Sequence, residues 1–275
     1  MSAINEPDTS QAALWNGPAG NAWVESRAVL DHMFRPVEVL LLEPIAAGSD
    51  ATVLDVGCGT GATTRATARR LGPGGRAIGI DLSETMIEDA RARAAEEGIA
   101  VTFLSGDAQT FPFDASAVDV VISRFGVMFF DDPVAAFANL HRAARPGARL
   151  RCVAWRRAEE NPFMTTAERA AAPLLPDLPP RQPGRPGQFA FGDGDRVRDI
   201  LAAGGWNDVR VGVGRAVRVP RTRTPVVRVA TRAGGHGPAR GRRRHPRPRP
   251  RDRPRRVRSL HRCHRGALHR GLLAA

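Results

Sequence analysis

The 275-residue chain has room for one large domain or two small ones and for a substantial core. Three scattered cysteines (Cys58, Cys152, Cys263) exclude a disulfide frame or a zinc ribbon, and no apolar run approaches the ~20 residues needed to cross a bilayer. The net charge of +13 does not describe the chain as a whole: residues 221–275 hold 18 arginines and one acid, Asp252, while residues 1–220 hold 23 arginines against 27 acids.

The start, Met-Ser-Ala-Ile-Asn-Glu-Pro-Asp, lacks the basic and apolar blocks of a signal peptide, so a soluble cytoplasmic protein is expected. Residues 1–45 read as a helical cap. Trp15 to Gly20 is rich in turn formers, and Asn21 is placed to cap a helix running to about Met33. A further apolar run, Val37 to Leu42, ends at Glu43-Pro44.

From Ala51 strand and helix alternate. Strands are predicted at 51–56, 76–80, 100–104, 118–123 and 149–154. Ala62 to Arg70 reads as the first intervening helix. Ser83 caps the next, which runs through Glu97 to a stop at Gly98. Asp132 caps a third with Pro133 at its first position, a buried stripe of Val134, Phe137 and Leu140, and an end at Pro146-Gly147. Such alternation predicts a parallel sheet covered on both faces.

Residues 158–219 read as a lid segment followed by the last helix and strand of the core, with helices near Thr165–Ala172 and Asp195–Ala203 and a strand at Asp208–Val213. Beyond Pro220 the composition turns to Arg, Pro, His and Gly, with Val226 to Val229 the only strand-like fragment. Residues 220–275 are therefore expected to be a disordered basic tail. It is open to three readings: an out-of-frame ending, a nucleic-acid-binding arm, or an inert extension. No Phe, Trp or Tyr follows Pro220, so an arm would lack stacking platforms.

The stretch Val53-Leu54-Asp55-Val56-Gly57-Cys58-Gly59-Thr60-Gly61 carries the most information. A short apolar strand with an acid near its end turns into a helix through three alternating glycines. A dinucleotide site wants G-x-G-x-x-G and no acid beside the pyrophosphate. This stretch resembles the first motif of class I S-adenosylmethionine-dependent methyltransferases, with Asp55 available to a cofactor ammonium and Gly57, Cys58, Gly59 and Gly61 forming a turn that lets a ligand touch backbone.

Asp81 closes the second predicted strand, where an acid accepts ribose hydroxyls, with Leu82 beside it. Asp81 alone also suits NAD, and a helix cap is its structural alternative. Asp107 follows the third strand. The resemblance implies that Asp107 accepts from the adenine amino group while the N–H of Ala108 meets the ring; a surface turn is the alternative. The three acids lie 26 residues apart, which strengthens the set. Ser123 and Arg124 follow the fourth strand, beside the methionine end of the cofactor in this family.

The resemblance covers residues 51–154 and points to the ubiquinone/menaquinone-biosynthesis type. It implies an α/β, Rossmann-like, doubly wound, mostly parallel sheet over a cofactor core at 46–157; the composition after Pro220 leaves its C-terminal strand pair incomplete. It also implies S-adenosylmethionine as cofactor, a small-molecule acceptor and no metal. For a base, His32 is the candidate; Ser123 and Arg124 are candidates for backbone contact with the cofactor, and Arg124 is also a catalytic candidate as a group orienting an acidic or carbonyl-bearing acceptor. Trp15, Trp23, Trp155 and Phe163 are candidates for an apolar pocket wall. An RNA methyltransferase or other nucleic-acid-binding protein using the tail, and an NAD(P)-dependent oxidoreductase, are the competing functions.

Overall fold

A computed structural model describes residues 10–175, 184–219 and 222–234, with side chains outside 215–225. They lie within the unit spanning residues 1–236; a second unit, 237–275, lies outside the described residues. Five strands run parallel: β1 Thr52–Val56, β2 Arg76–Asp81, β3 Thr102–Ser105, β4 Val118–Arg124 and β5 Ala144–Trp155. Two more, β6 Trp206–Val219 and β7 Thr222–Ala233, complete one seven-stranded sheet in the order β3-β2-β1-β4-β5-β7-β6. β7 lies antiparallel to both β5 and β6.

The helices are α1 Gln11–Trp15, α2 Pro18–Glu25, α3 Arg27–Leu42, α4 Ala62–Arg70, α5 Glu84–Glu96, α6 Pro133–Ala143, α7 Pro162–Ala171 and α8 Gly194–Ala203. Their starts are written in the sequence. Ser83 accepts from Met86 N at 3.3 Å, and Asp132 accepts from Ala135 N at 3.0 Å with Pro133 at the first position. Asp193 caps α8 through the backbone N–H groups of Asp195 and Arg196.

The central strands are apolar on both faces because helices cover both. Val53, Leu54 and Val56 of β1 and Val121 and Ile122 of β4 are almost wholly buried. β1 pairs with β2 on one side and β4 on the other, so the strand order reverses between β1 and β4. In an open α/β sheet the crevice beyond the carboxyl ends at such a reversal takes the ligand.

Several expectations need correcting. The C-terminal strand pair is complete. Residues 222–233 form β7 between β5 and β6, with Val226, Val227 and Val229 fully buried, so β5 has no exposed edge and the sheet does not stop at Pro220. All three readings of the tail (out-of-frame ending, arm and inert extension) fall after Gly234, outside the described residues. One helix from Asn21 to Met33 is in fact two, meeting at Ser26, and the second takes in the Val37–Leu42 run despite Pro36. Pro146-Gly147 does not stop α6. That helix ends at Ala143, and both residues lie inside β5. Val134 is 37 % exposed, leaving Phe137 and Leu140 as the buried stripe.

Candidate active site

The glycine turn is shaped by backbone geometry. Gly57, Gly59 and Gly61 all have positive φ, at 66°, 54° and 74°. In this conformation the N–H groups of Gly57 and Cys58 both donate to Ile80 O, at 2.9 and 3.1 Å, tying the turn to the tip of β2. The two glycines at 57 and 59 serve different ends. A Cβ on Gly57 would lie 2.6 Å from Gly126 Cα, so the turn presses directly on the loop after β4. A Cβ on Gly59 would meet only Trp23 Nε1 at 3.6 Å and Met86 Sδ at 3.7 Å, the walls of a cleft.

That cleft is open to solvent and lies over the carboxyl ends of β1, β2 and β4. Gly57, Cys58, Gly59, Asp81, Leu82, Asp107, Ala108 and Arg124 line it, so eight of the sequence candidates converge. Asp81 crosses to the glycine turn. Its Oδ2 accepts from Gly59 N at 2.8 Å and its Oδ1 from Ser83 N at 2.9 Å. The carboxylate keeps acceptor capacity for a further donor, which suits a ribose hydroxyl. Burial pushes the Asp81 carboxyl upward, against the pull of those N–H donors. Asp107 Oδ1 accepts from Gln109 N at 2.9 Å, which fixes the carboxylate in the cleft lining.

Asp55, Gly61, Ser123, His32 and Phe163 stand elsewhere. Asp55 lies behind the turn, 1 % exposed, with Thr64 Oγ1 donating to its Oδ2 at 2.7 Å and its Oδ1 unpartnered. Gly61 is filled against Phe103 and Ala90, which makes it a packing position. Ser123 joins strands: its hydroxyl donates to Val56 O at 2.7 Å and accepts from Val127 N at 3.3 Å. His32 is exposed on α3 and absent from the cleft lining. Phe163 also misses the lining but touches Trp155, 5.9 Å between ring centres.

The cap supplies the opposite wall. Trp15 packs edge-on against Trp23 and Phe129, with ring centres 6.1 and 5.0 Å apart. Phe125 stacks on Trp155 at 4.3 Å and 3°. Phe125 holds a left-handed φ of 65°, a strain of about 1–2 kcal/mol for a residue with a Cβ, located where its ring lines the cleft. Sequence reasoning missed Asn16, which clamps the cap to the turn after β2. Its amide donates to Leu82 O at 3.1 Å and accepts from Glu84 N at 2.8 Å. Gln11, Met86, Met128 and Gln188 were missed as well, because ordinary polar and thioether side chains carry no motif.

Asp55 has a consequence for stability. Burial, set against the Thr64 hydroxyl and the Arg124 charge, pushes its carboxyl from 3.8 up to about 6. The folded chain therefore holds this proton more tightly than the unfolded chain. The resulting contribution is full below about pH 4 and is lost as pH rises through 6, a span worth about 3 kcal/mol. Asp55→Asn should thus raise unfolding free energy by up to about 3 kcal/mol at pH 8 and leave it unchanged below about pH 4. Urea denaturation at the two pH values measures this, and an equal effect at both would refute it.

Comparison with known proteins follows the same outline. Residues 53–147 match the family described as Methyltransferase domain. Over 186 residues the chain is 33 % identical to nocamycin O-methyltransferase of Saccharothrix syringae, covering 64 % of this chain and 66 % of that protein. Over 103 residues it is 36 % identical to demethylmenaquinone methyltransferase of Lactococcus lactis, covering 37 % and 41 %. The chain thus spans somewhat under two thirds of the first protein and about two fifths of the second. The crystal structure of an S-adenosylmethionine-dependent methyltransferase from Aquifex aeolicus shares the fold, with a TM-score of 0.54 at 21 % identity over 77 % of this chain and 97 % of that one.

Proposed function

Since the chain belongs, through residues 53–147, to the class I methyltransferases, whose cofactor is S-adenosylmethionine, we propose that it transfers a methyl group from that cofactor to a small-molecule acceptor. The observation that carries this reading is the convergence of Asp81, Asp107 and the glycine turn on one cleft. The residues fit the cofactor. Asp81 would accept from a ribose hydroxyl, Asp107 and Ala108 would take the adenine edge, and the bare face of Gly59 leaves room for the sulfonium end. When bound, the cofactor supplies a methyl group on a positively charged sulfur, open to displacement in line.

Asp55 acts in this reading from the layer behind the turn, holding Thr64 and the first turn of α4. The Cys58 thiol is held protonated by burial and is no nucleophile. The chain's own contribution is alignment and exclusion of water, effects worth about 7–11 kcal/mol when complete. Trp15, Trp23, Phe129 and Trp155 give the acceptor flat apolar surfaces, which favours a planar or aromatic molecule. No histidine lines the cleft among the described residues, and its acids lie at the adenosine end. An acceptor atom that is already nucleophilic, as the ionised oxygen or adjacent carbon of an acidic enol or phenol is, would need no base from this lining. An O-methylated acceptor is in keeping with the name of the nocamycin relative.

Calorimetry with S-adenosylhomocysteine tests the reading. One equivalent should bind, and Asp81→Asn should weaken it by about 10- to 100-fold. A folded sample that ignores S-adenosylhomocysteine but is stabilised by NAD would reinstate the oxidoreductase alternative.

A further inference from the structure

Arg124 ends β4 and, among the described residues, is the one cation lining the cleft. Its side chain is only 7 % exposed, and its guanidinium lies over the Phe34 ring, 5.6 Å from the centre. A buried guanidinium normally spends its N–H groups on oxygen acceptors. This one does not. Nη1 is buried with no hydrogen-bond partner, and Nη2 stands 3.8 Å from Asp31 Oδ1, too far for a hydrogen bond. Asp31 is already committed to Arg93 Nη2 at 2.8 Å, and that pair holds α3 against α5. Glu38 and Asp55 face the guanidinium charge, but neither hydrogen-bonds to it. Arg124 is thus anchored by ring contact and distant charge while a donor is left over.

We propose that Arg124 is the carboxylate-binding residue of the cleft and that the carboxylate it takes is the methionyl end of the cofactor. The placement favours this source. The register pairs Asp55 of β1 with Ile122 of β4, so Arg124 stands two residues beyond that level, beside the Gly57–Gly59 turn. Asp81 and Asp107 occupy the adenosine side of the same cleft. A zwitterionic amino-acid tail running from there toward β4 ends at this positive group. An anionic acceptor would offer the same chemistry to the same nitrogen.

The inference rests on the cofactor reading above, and its test separates the two. S-adenosylhomocysteine and 5′-methylthioadenosine, which lacks the amino-acid tail, are titrated by calorimetry into the wild-type chain, Arg124→Met and Arg124→Lys. Arg124→Met should weaken S-adenosylhomocysteine by about 10- to 100-fold and leave methylthioadenosine within about twofold, with Arg124→Lys between. Equal losses for both ligands, or no loss for either, overturn the proposal; the lysine variant decides if the methionine variant does not fold. In a further arm, salicylate is titrated into the S-adenosylhomocysteine-loaded protein. Salicylate binding that Arg124→Met abolishes, with S-adenosylhomocysteine affinity unchanged, moves the carboxylate to the acceptor and overturns the cofactor assignment. Failure of the wild-type chain to bind S-adenosylhomocysteine at all overturns the function proposed above instead.

Discussion

A chain ended after Val219 should fail to fold, whereas one ended after Gly234 should melt cooperatively near the temperature of the full chain. The physical reason lies in where β7 sits. It pairs with β5 along Arg149–Trp155 and with β6 along nearly its whole length, so its loss strips a strand from the inside of the sheet. β6 then has no partner, and β5 acquires a bare edge open to other chains. Val226, Val227 and Val229 are at most 1 % exposed, and burial of each is worth about 1.5–3 kcal/mol. With the ladder hydrogen bonds, the loss reaches about 5 kcal/mol or more, comparable to the whole stability of an ordinary domain. Circular dichroism and size-exclusion chromatography of the two truncations read the outcome. A folded, monodisperse chain ending at Val219 would show that β7 is dispensable.

Gly57→Ala and Gly59→Ala should part company, although they are neighbours in one motif. At Gly57 the added methyl carbon falls 2.6 Å from a backbone atom of Gly126, which cannot turn aside as a side chain can. Added to the cost of a left-handed alanine, the displaced contact should destabilise the fold by about 3 kcal/mol. At Gly59 the nearest atoms lie at 3.6 and 3.7 Å, ordinary contact distances. That variant should lose only about 1 kcal/mol of stability, yet its methyl protrudes into the cleft and should abolish binding of S-adenosylhomocysteine. Thermal denaturation paired with calorimetry distinguishes them. Similar stability losses in both variants would mean that the turn is not pressed against the β4 loop.

The parts of the fold that were legible in the sequence are those fixed by local chemistry. Ser83, Asp132 and Pro133 mark helix starts by the hydrogen bonds that they can make, and β1 and β4 are continuous apolar runs because both faces are covered. β7 was missed because composition outweighed period. From Val227 to Ala233 the residues at 227, 229, 231 and 233 are buried while Arg228 and Arg232 are exposed, the alternation of a half-covered strand. The arginines sit on its open face, so a high charge count did not forbid a strand. In the site, Asp81 and Asp107 were recoverable because a strand end places its side chain over the cleft. The reach of Asp55 was not, since the same strand geometry leaves it under the turn, on Thr64. Nor was the clamp by Asn16, which depends on two segments 66 residues apart meeting in space.

The chain has no tyrosine, so its ultraviolet emission comes from four indoles alone. Trp15, Trp23 and Trp155 border the cleft, while Trp206 lies sealed beneath α6 with its indole N–H held by Phe137 O at 2.9 Å. The fluorophores are thereby divided between two roles. Three should respond to occupancy of the cleft, and the fourth should respond when its packing against α6 is lost. Ligand arrival and loss of structure can be told apart in the unlabelled protein.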